Sequence, residues 1–190
     1  PDNILSGYAE MLKHGLISNT THWAELLNFD LTNIDYARLQ QLVGRSVQVK
    51  EDIVAQDPFE KGIRKALNLG HTIGHAFESF ALKREHPVLH GYAVAWGIVC
   101  ELYLSALKTG FPKDKMHQTL YFIKENYGKF PFTCNDYECL YEYMKHDKKN
   151  AAAGSINFTL LGEIGDIRIN QTASQEEIYE LLDFYSETMG

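Results

Sequence analysis

The densest group of chemically capable side chains lies in the segment KALNLGHTIGHAFESF. It contains Asn68, His71, His75 and Glu78, at spacings of three, four and three, among residues that are otherwise apolar or small. These spacings place side chains on adjacent turns of one helix face. Since polar groups on an apolar face are costly to bury without partners, the pattern indicates a polar site on a helix.

Two glycines, Gly70 and Gly74, interrupt the same segment. Glycine inside a helix costs about 1 kcal/mol relative to alanine, so it usually marks the close approach of another group. The two glycines therefore predict a close neighbour, and a ligand is one group that could lie against this stretch of backbone.

A third histidine, His90 in VLHGYAVAWG, and an acidic residue in an apolar helical pattern, Glu10, add to the candidate ligands. A lone histidine is usually a packed core residue, but this combination favours a mixed histidine and carboxylate metal site. Zinc suits two neutral imidazoles and one carboxylate, which leave a coordination position open for catalysis. By spacing alone, His71 and His75 are the natural ligand pair, because they lie four residues apart on a helix.

The elements that must position these side chains follow from apolar periodicity. Helical patterns cover about 4–12, 34–54, 62–82, 88–108, 115–127 and 136–145. The segments SINFTLL and DIRIN alternate around a turn at Gly162 to Gly165, and they predict one β-hairpin before a last helix from about Ser174. We expect a mainly α, multi-helical domain with one short β-hairpin. Without βαβ alternation or a G-x-G-x-x-G turn, it is predicted to hold no dinucleotide.

Composition narrows the class of protein further. The 190 residues are 45% hydrophobic and 12% aromatic, enough for one sizeable core. The net charge of -7 and the lack of a basic stripe argue against nucleic acid as a partner. Charge interrupts every apolar stretch well before the ~20 residues that a membrane span needs, so we expect no membrane partner and a cytoplasmic protein.

Three cysteines without CxxC spacing predict neither disulfides nor a thiolate zinc site.

Four segments, GYAEMLKHG, KALNLGHTIGHAFE, LHGYAVAWG and DKKN with GSINFTLLGEIG, resemble in the same order the signature segments of the 3-dehydroquinate synthase family. The resemblance spans nearly the whole chain and implies the metal- and substrate-binding C-terminal domain of that family, over residues 1–190. It implies that Glu10, His71 and His90 hold a divalent metal, Zn²⁺ or Co²⁺. His75 is then a catalytic histidine that binds substrate or relays a proton.

The resemblance also gives a role to the basic residues, since the family's sugar-acid phosphate substrate carries a carboxylate and a phosphate. Lys13 and Lys50 match catalytic, substrate-binding positions, and Lys13 lies three residues after Glu10 on the same helix face. Arg64 and Asn68, four residues apart, are expected to hold the carboxylate together.

One lysine of the DKKN motif is implied to reach the substrate's phosphate, and we assign it to Lys148 rather than Lys149. The default role of both lysines is to complement the dipole at the end of the preceding helix.

The implied activity is the conversion of 3-deoxy-D-arabino-heptulosonate 7-phosphate to 3-dehydroquinate and phosphate, in the shikimate pathway, with NAD⁺ as a transient oxidant. In the family a Rossmann-like N-terminal domain binds the NAD⁺, and a neighbouring subunit supplies an arginine. The chain opens at Pro1-Asp2-Asn3 and runs directly into ILSGYAEMLKHGLI, so we expect it to be part of a longer, homodimeric enzyme. Alone, it is expected to bind metal weakly and to show no turnover.

Two departures from the family pattern stand out. Tyr92 replaces a glutamate that many relatives have after the His-Gly pair, and the interval from His71 to His90 is slightly long. The extra length falls in Lys83 to Pro87, so His86 is an alternative to His90 as a ligand. His90 fits better, because it opens a helix before Gly91.

Three rival interpretations stay open. Another sugar-phosphate cyclase would share the metal ligands but change the carboxylate-binding residues, against which Arg64 and Asn68 argue. A metal-dependent alcohol or glycerol dehydrogenase would replace Glu10 by aspartate and would need neither Lys13 nor DKKN. A non-catalytic helical metal-binding module would need no nucleotide-binding half.

Overall fold

The structure is a computed structural model that describes residues 1–146 and 155–190. Within these ranges the eight α-helices are α1 (Asp2–Ser18), α2 (Thr20–Leu27), α3 (Tyr36–Gln56), α4 (His71–Lys83), α5 (His90–Lys108), α6 (Lys113–Tyr127), α7 (Tyr137–Lys145) and α8 (Gln175–Met189). Two 3-10 helices cover Ile63–Asn68 and Cys134–Asp136, and strands β1 (Ile156–Glu163) and β2 (Asp166–Ala173) form an antiparallel pair. The predicted mainly α fold with one hairpin is confirmed.

The prediction of one helix from Gly62 to Leu82 is wrong in its first part. Residues Ile63–Asn68 form a 3-10 helix, and α4 begins only at His71. The break lies at Gly70, whose φ of 82° is a left-handed conformation that cannot continue a right-handed helix. Asn68 therefore does not share a helix with His71.

Sequence periodicity missed helix α2, because an eight-residue helix shows too few apolar repeats. Its start is fixed by a local cap instead. The side chain of Asn19 accepts a hydrogen bond from the backbone N–H of His22 at 2.8 Å. By contrast, the last helix begins where expected, since Ser174 and Glu177 form a reciprocal capping box.

The β-hairpin closes on a two-residue turn between the paired residues Glu163 and Asp166. Gly165 in this turn has a φ of 81°, which is why glycine is suited to it. The side chains of Ile156, Phe158 and Leu160 are fully buried, so β1 covers the helical core while much of β2 faces outward.

Helices α4 and α5 pack with their backbones in close contact. A Cβ atom added to Gly97 would lie 2.1 Å from the carbonyl oxygen of Gly70, and one added to Gly74 would lie 3.0 Å from that of Ala93. The group that approaches the glycines of α4 is thus helix α5. The predicted close neighbour of this backbone is therefore another helix rather than a ligand.

Helix α5 also meets α1 at backbone level. The N–H of Gly91 donates to Ser6 Oγ at 2.9 Å, and a Cβ atom at Gly91 would lie 1.9 Å from the carbonyl oxygen of Ser6. The beginning of α5 is therefore held against the first half of α1, which brings His90 near Glu10. In the two described ranges, none of the helices has the length and apolar character needed to cross a membrane.

The substitution Gly97→Ala tests the contact between α4 and α5. Overpacking at a backbone contact should lower the free energy of unfolding by about 1–3 kcal/mol. The matched control is Gly44→Ala in α3, where an added Cβ atom meets nothing within 4 Å and should stabilise the helix by up to about 1 kcal/mol. Urea unfolding of both variants measures the difference. Equal stability of Gly97→Ala and the parent would contradict the close contact.

Candidate metal centre

Side chains from α1, α4 and α5 converge at one point. The Nε2 atoms of His71 and His90 lie 3.5 and 3.6 Å from Oε1 of Glu10. The ring of His75 lies beside them, with its centroid 5.3 Å from that of His71 and 5.9 Å from that of His90. One nitrogen from each histidine lies within 4.8 Å of the other two. The fold thus gathers four potential ligands into a single cluster.

Hydrogen bonds fix which nitrogen of each ring carries the proton. Nδ1 of His71 is 3.1 Å from the carbonyl oxygen of Leu69, and Nδ1 of His90 is 3.0 Å from Oε1 of Glu78. Both partners are acceptors, so each Nδ1–H donates, and in the neutral ring each Nε2 keeps its lone pair. Such outer partners are typical of histidines that bind a metal through the other nitrogen.

The charge state of the cluster follows from burial and from Lys13. Burial lowers the pKa of His71 below its ordinary value, and the charge of Lys13 lowers it further against the effect of Glu10, so the ring is neutral at pH 7. Burial would raise the pKa of Glu10, but contact with His71 and the ammonium of Lys13 outweigh it and hold that pKa well below its usual range. Glu10 is therefore a carboxylate.

The Glu10 carboxylate is satisfied on one side only. Lys13 Nζ donates to Oε2 at 2.6 Å, whereas Oε1 is buried and has no hydrogen-bond partner among the described residues. This anionic oxygen faces the lone pairs of two imidazoles across 3.5 and 3.6 Å. Three electron-rich atoms in that position repel one another unless a cation lies between them.

The donor set fits a divalent metal in chemistry and in spacing. Zinc accepts imidazole nitrogen and carboxylate oxygen at about 2.0–2.2 Å in a tetrahedral arrangement, so two of its ligand atoms lie roughly 3.4 Å apart. The observed separations from Glu10 Oε1 are 3.5 and 3.6 Å. Cobalt accepts similar ligands. The cluster can therefore hold either ion with little side-chain movement.

Comparison with known proteins places this chain in a family. Residues 7–150 match the family model described as 3-dehydroquinate synthase C-terminal. The chain is 59% identical to the 3-dehydroquinate synthase of Parabacteroides distasonis over 189 residues, which are 100% of this chain and 53% of that protein. It is 36% identical to the 3-dehydroquinate synthase of Bacillus mycoides over 188 residues, which are 97% of this chain and 50% of that protein. The chain belongs to the 3-dehydroquinate synthase family.

This member of the 3-dehydroquinate synthase family spans about half the length of the curated relatives it matches. Solved structures share its fold at low identity. A 2-deoxy-scyllo-inosose synthase complexed with carbaglucose-6-phosphate, NAD⁺ and Co²⁺ has a TM-score of 0.77 at 19% identity, covering 96% of this chain and 51% of that one. A 2-epi-5-epi-valiolone synthase from Streptomyces hygroscopicus with NAD⁺ and Zn²⁺ bound has a TM-score of 0.78 at 19% identity, covering 97% and 51%.

Two sets of three ligands compete within the cluster of this 3-dehydroquinate synthase family member. Three histidines alone would leave Oε1 of Glu10 buried without a partner. A site of Glu10, His71 and His90 uses that oxygen and leaves His75 beside the metal position. The set implied by the resemblance is thus favoured over the three histidines, which include the pair His71 and His75 that helical spacing alone suggested.

The alternative ligand His86 does not enter the cluster. It lies in the exposed segment between α4 and α5, and the histidine group in the described residues contains His90 instead. Tyr92, the other departure from the family pattern, points elsewhere. Its hydroxyl donates to Asp2 Oδ1 at 3.3 Å, and its ring packs edge-on against Trp96 and Tyr127.

The predicted substrate-binding residues are only partly gathered. Lys13 is buried beside Glu10, and the exposed Lys50 lines a groove of about 410 Å³ between α1 and α3 that also reaches Glu10 and His14. Lys148 and Lys149 lie outside the described residues.

Arg64 and Asn68 are not brought together as expected. Nη1 of Arg64 donates to the carbonyl oxygen of Pro58 at 2.8 Å, whereas Asn68 lines a pocket of about 360 Å³ that Lys65 and Thr72 also line. The expectation relied on α-helical spacing. In a 3-10 helix residues three apart eclipse, so Lys65 rather than Arg64 shares the side of Asn68.

Sequence reasoning placed Glu78 on the polar face but gave it no function. The structure shows it as the acceptor for His90 Nδ1. Its position seven residues after His71 was a usable signal, since it returns to the same helix face after two turns.

Substituting the ligands one at a time tests the site. Glu10→Gln, His71→Ala and His90→Ala should each weaken Zn²⁺ binding by at least about 100-fold, because each removes one of three donors. His75→Ala is the matched control, and its affinity should stay within about tenfold of the parent. Competition with a chromophoric chelator measures all four. Loss of zinc in His75→Ala together with retention in Glu10→Gln would show a three-histidine site instead.

A second prediction concerns His14, which is buried one turn after Glu10. Its Nδ1 has no hydrogen-bond partner among the described residues. Burial lowers the pKa of His14 to about 4 from 6.5, with Lys13 adding to the shift. As the pH falls from 6.5 towards 4, the unfolded chain takes up this proton before the folded chain does. The stability present above pH 6.5 is therefore lost, by about 3 kcal/mol at most.

The variant His14→Gln should remove that part of the acid destabilisation. Urea unfolding at several pH values between 7 and 4, with a chelator present, measures the slope. His117→Gln on the exposed side of α6 is the control and should keep the parental slope. An unchanged slope in His14→Gln would mean that His14 is not a buried neutral group.

Proposed function

We propose that this chain is the metal- and substrate-binding C-terminal domain of a 3-dehydroquinate synthase, over residues 1–190. The complete enzyme would convert 3-deoxy-D-arabino-heptulosonate 7-phosphate to 3-dehydroquinate and phosphate in the shikimate pathway. The observation that carries the proposal is the convergence of Glu10 Oε1 with Nε2 of His71 and of His90. It occurs in a chain 59% identical to a 3-dehydroquinate synthase.

Glu10, His71 and His90 would hold a Zn²⁺ or Co²⁺ ion. When bound there, such an ion supplies Lewis-acid stabilisation of negative charge on a substrate oxygen. The ions named with the two structural neighbours, Co²⁺ and Zn²⁺, support this choice. Because His71 and His90 are oriented by Leu69 and Glu78, the ligand nitrogens need little reorganisation to accept a metal.

Lys13 contributes a fixed positive charge to the same site. Its ammonium is buried and paired with Glu10 Oε2 at 2.6 Å. A buried ammonium polarises nearby oxygen atoms more strongly than an exposed one, since little water screens it. We assign to Lys13 the stabilisation of negative charge on the substrate hydroxyl that is oxidised, and to His75 the binding of substrate or the transfer of a proton.

The remaining cations would bind the two anionic ends of the substrate. Lys50 stands at the groove that reaches Glu10, and Arg64 and Asn68 lie on the 3-10 helix before α4. Arg64 and Asn68 would bind the substrate carboxylate together. For this, the guanidinium of Arg64 would have to leave the carbonyl oxygen of Pro58 when substrate binds. Lys148 is assigned to the phosphate.

The rest of the enzyme would supply NAD⁺ binding through a Rossmann-like N-terminal domain, and the complete protein would be a homodimer. Structural neighbours with NAD⁺ bound support this cofactor. The free thiols of Cys100, Cys134 and Cys139 support the expected cytoplasmic location, where thiols stay reduced. The net charge of -7 argues against nucleic acid as a partner.

A chimera tests the function directly. The part of the Parabacteroides distasonis relative that this chain does not cover is joined ahead of Pro1, and phosphate release and 3-dehydroquinate are measured with NAD⁺ and Zn²⁺. The chimera should turn over 3-deoxy-D-arabino-heptulosonate 7-phosphate, whereas the 190 residues alone should release no phosphate. His71→Ala should abolish turnover, and Lys124→Ala on the surface of α6 should not.

Other outcomes separate the rival functions. Phosphate release from a different sugar phosphate, but not from this substrate, would point to another cyclase. A folded chimera that binds zinc and turns over no substrate would favour the non-catalytic module.

A further inference from the structure

A buried carboxylate on α5, at the start of α4, has no role in the proposed chemistry. Glu101 lies on α5, eleven residues after His90, in the apolar run VAWGIVCELYL. It is 0% exposed. Its Oε1 accepts the N–H of Gly70 at 2.9 Å, and its Oε2 accepts the N–H of Ile73 at 3.0 Å. A fully buried carboxylate therefore bridges two backbone donors of another helix.

The two donors are at the first turn of α4, where backbone N–H groups lack partners within the helix. The residue before this helix is Gly70, which has no side chain to cap it, and no local side chain does so. Glu101 supplies the missing cap from α5. The positive end of the helix dipole favours its negative charge at this point.

This cap acts on His71 through a single peptide group. The N–H that Glu101 holds belongs to Gly70, and the carbonyl of the same planar peptide unit belongs to Leu69. That carbonyl accepts Nδ1–H of His71 at 3.1 Å. Because N–H and C=O point in opposite directions from a rigid plane, fixing the N–H on Glu101 also fixes the carbonyl towards His71.

We propose that Glu101 is a positioning residue for the metal site: by holding the peptide between Leu69 and Gly70, it sets the tautomer and the orientation of His71. The metal-binding part of this inference rests on the proposed function. Glu101 shares α5 with His90, so it also ties the α4 ligand to the helix that carries the α5 ligand.

The packing around this peptide makes the arrangement specific. Gly70 has a φ of 82°, and a Cβ atom there would lie 2.8 Å from Cγ1 of Ile98. A Cβ atom at Gly97 would lie 2.1 Å from the carbonyl oxygen of Gly70. These two glycines let α5 approach closely enough for the short side chain of Glu101 to reach both N–H groups.

The variant Glu101→Gln tests the proposal, because it keeps the shape but turns one acceptor into a donor that faces a backbone N–H. Its Zn²⁺ affinity should fall by about 10- to 100-fold, the usual effect of removing an outer partner of a metal ligand. Thr119→Val is the matched control. It removes the buried hydroxyl that accepts a hydrogen bond from Trp23 Nε1, outside the histidine cluster, and its zinc affinity should stay within about twofold of the parent.

A second readout needs no metal. Long-range proton-nitrogen NMR of the histidine rings in the metal-free chain reports which nitrogen of His71 is protonated. The parent and Thr119→Val should show the proton on Nδ1, and Glu101→Gln should show a mixture of tautomers. If Glu101→Gln does not fold, Glu101→Asp retains the charge but shortens the reach, and the same shift in tautomer is expected from it.

An unchanged His71 tautomer together with zinc affinity within twofold of the parent would overturn the role of Glu101. A parental chain that binds no zinc would count against the proposed function instead. The tautomer measurement would still decide the role of Glu101 in that case.

Discussion

Three electron-rich atoms share one small volume, and this constraint governs the rest of the site. Oε1 of Glu10 faces Nε2 of His71 and of His90 at 3.5 and 3.6 Å, and the opposite nitrogens of both rings hold their protons in other hydrogen bonds. Lys13 compensates Glu10 only from its other oxygen. A cation is the chemical species that makes such a cluster favourable, and the surrounding helices have to hold the three atoms at coordination spacing.

The helices meet that requirement through contacts between backbones. Gly91 lies against Ser6, which fixes the start of α5 on α1, and Gly97 lies against Gly70, which fixes α4 on α5. Contacts of this kind leave little freedom to slide, because interiors pack at crystal-like density. The ligand side chains then need only their local hydrogen bonds to reach the right rotamers and tautomers. A site of this precision depends on rigid elements more than on the ligands themselves.

The sequence predicted which side chains converge better than it predicted the elements that hold them. Histidine and carboxylate types at helical spacing pointed to a metal, and the order of the motifs separated Glu10 from His75 as the preferred ligand. The α-helical spacing from which Arg64 and Asn68 were paired is wrong, because the chain forms a 3-10 helix there. That helix ends at Asn68, and the left-handed conformation of Gly70, which packs against α5, separates it from α4, so local periodicity could not reveal the break.

The glycines show the same limit of local sequence patterns. Gly70 and Gly74 correctly signalled a close neighbour, but the sequence could not say whether that neighbour was a ligand or another helix. Glu101 was overlooked although its signal resembled that of Glu10, a lone carboxylate within an apolar helix. Its partners are the backbone N–H groups of Gly70 and Ile73, which are distant in the sequence. A single sequence does not reveal such long-range pairings.

Anomalous diffraction from a zinc-soaked crystal, recorded on both sides of the zinc absorption edge, would show directly which side chains bind the metal. One strong peak is expected about 2.0–2.2 Å from Oε1 of Glu10 and from Nε2 of His71 and of His90. A peak coordinated by His71, His75 and His90, with Glu10 turned away, would contradict this ligand set. So would the absence of a peak in the cluster when zinc binds at full occupancy elsewhere in the crystal.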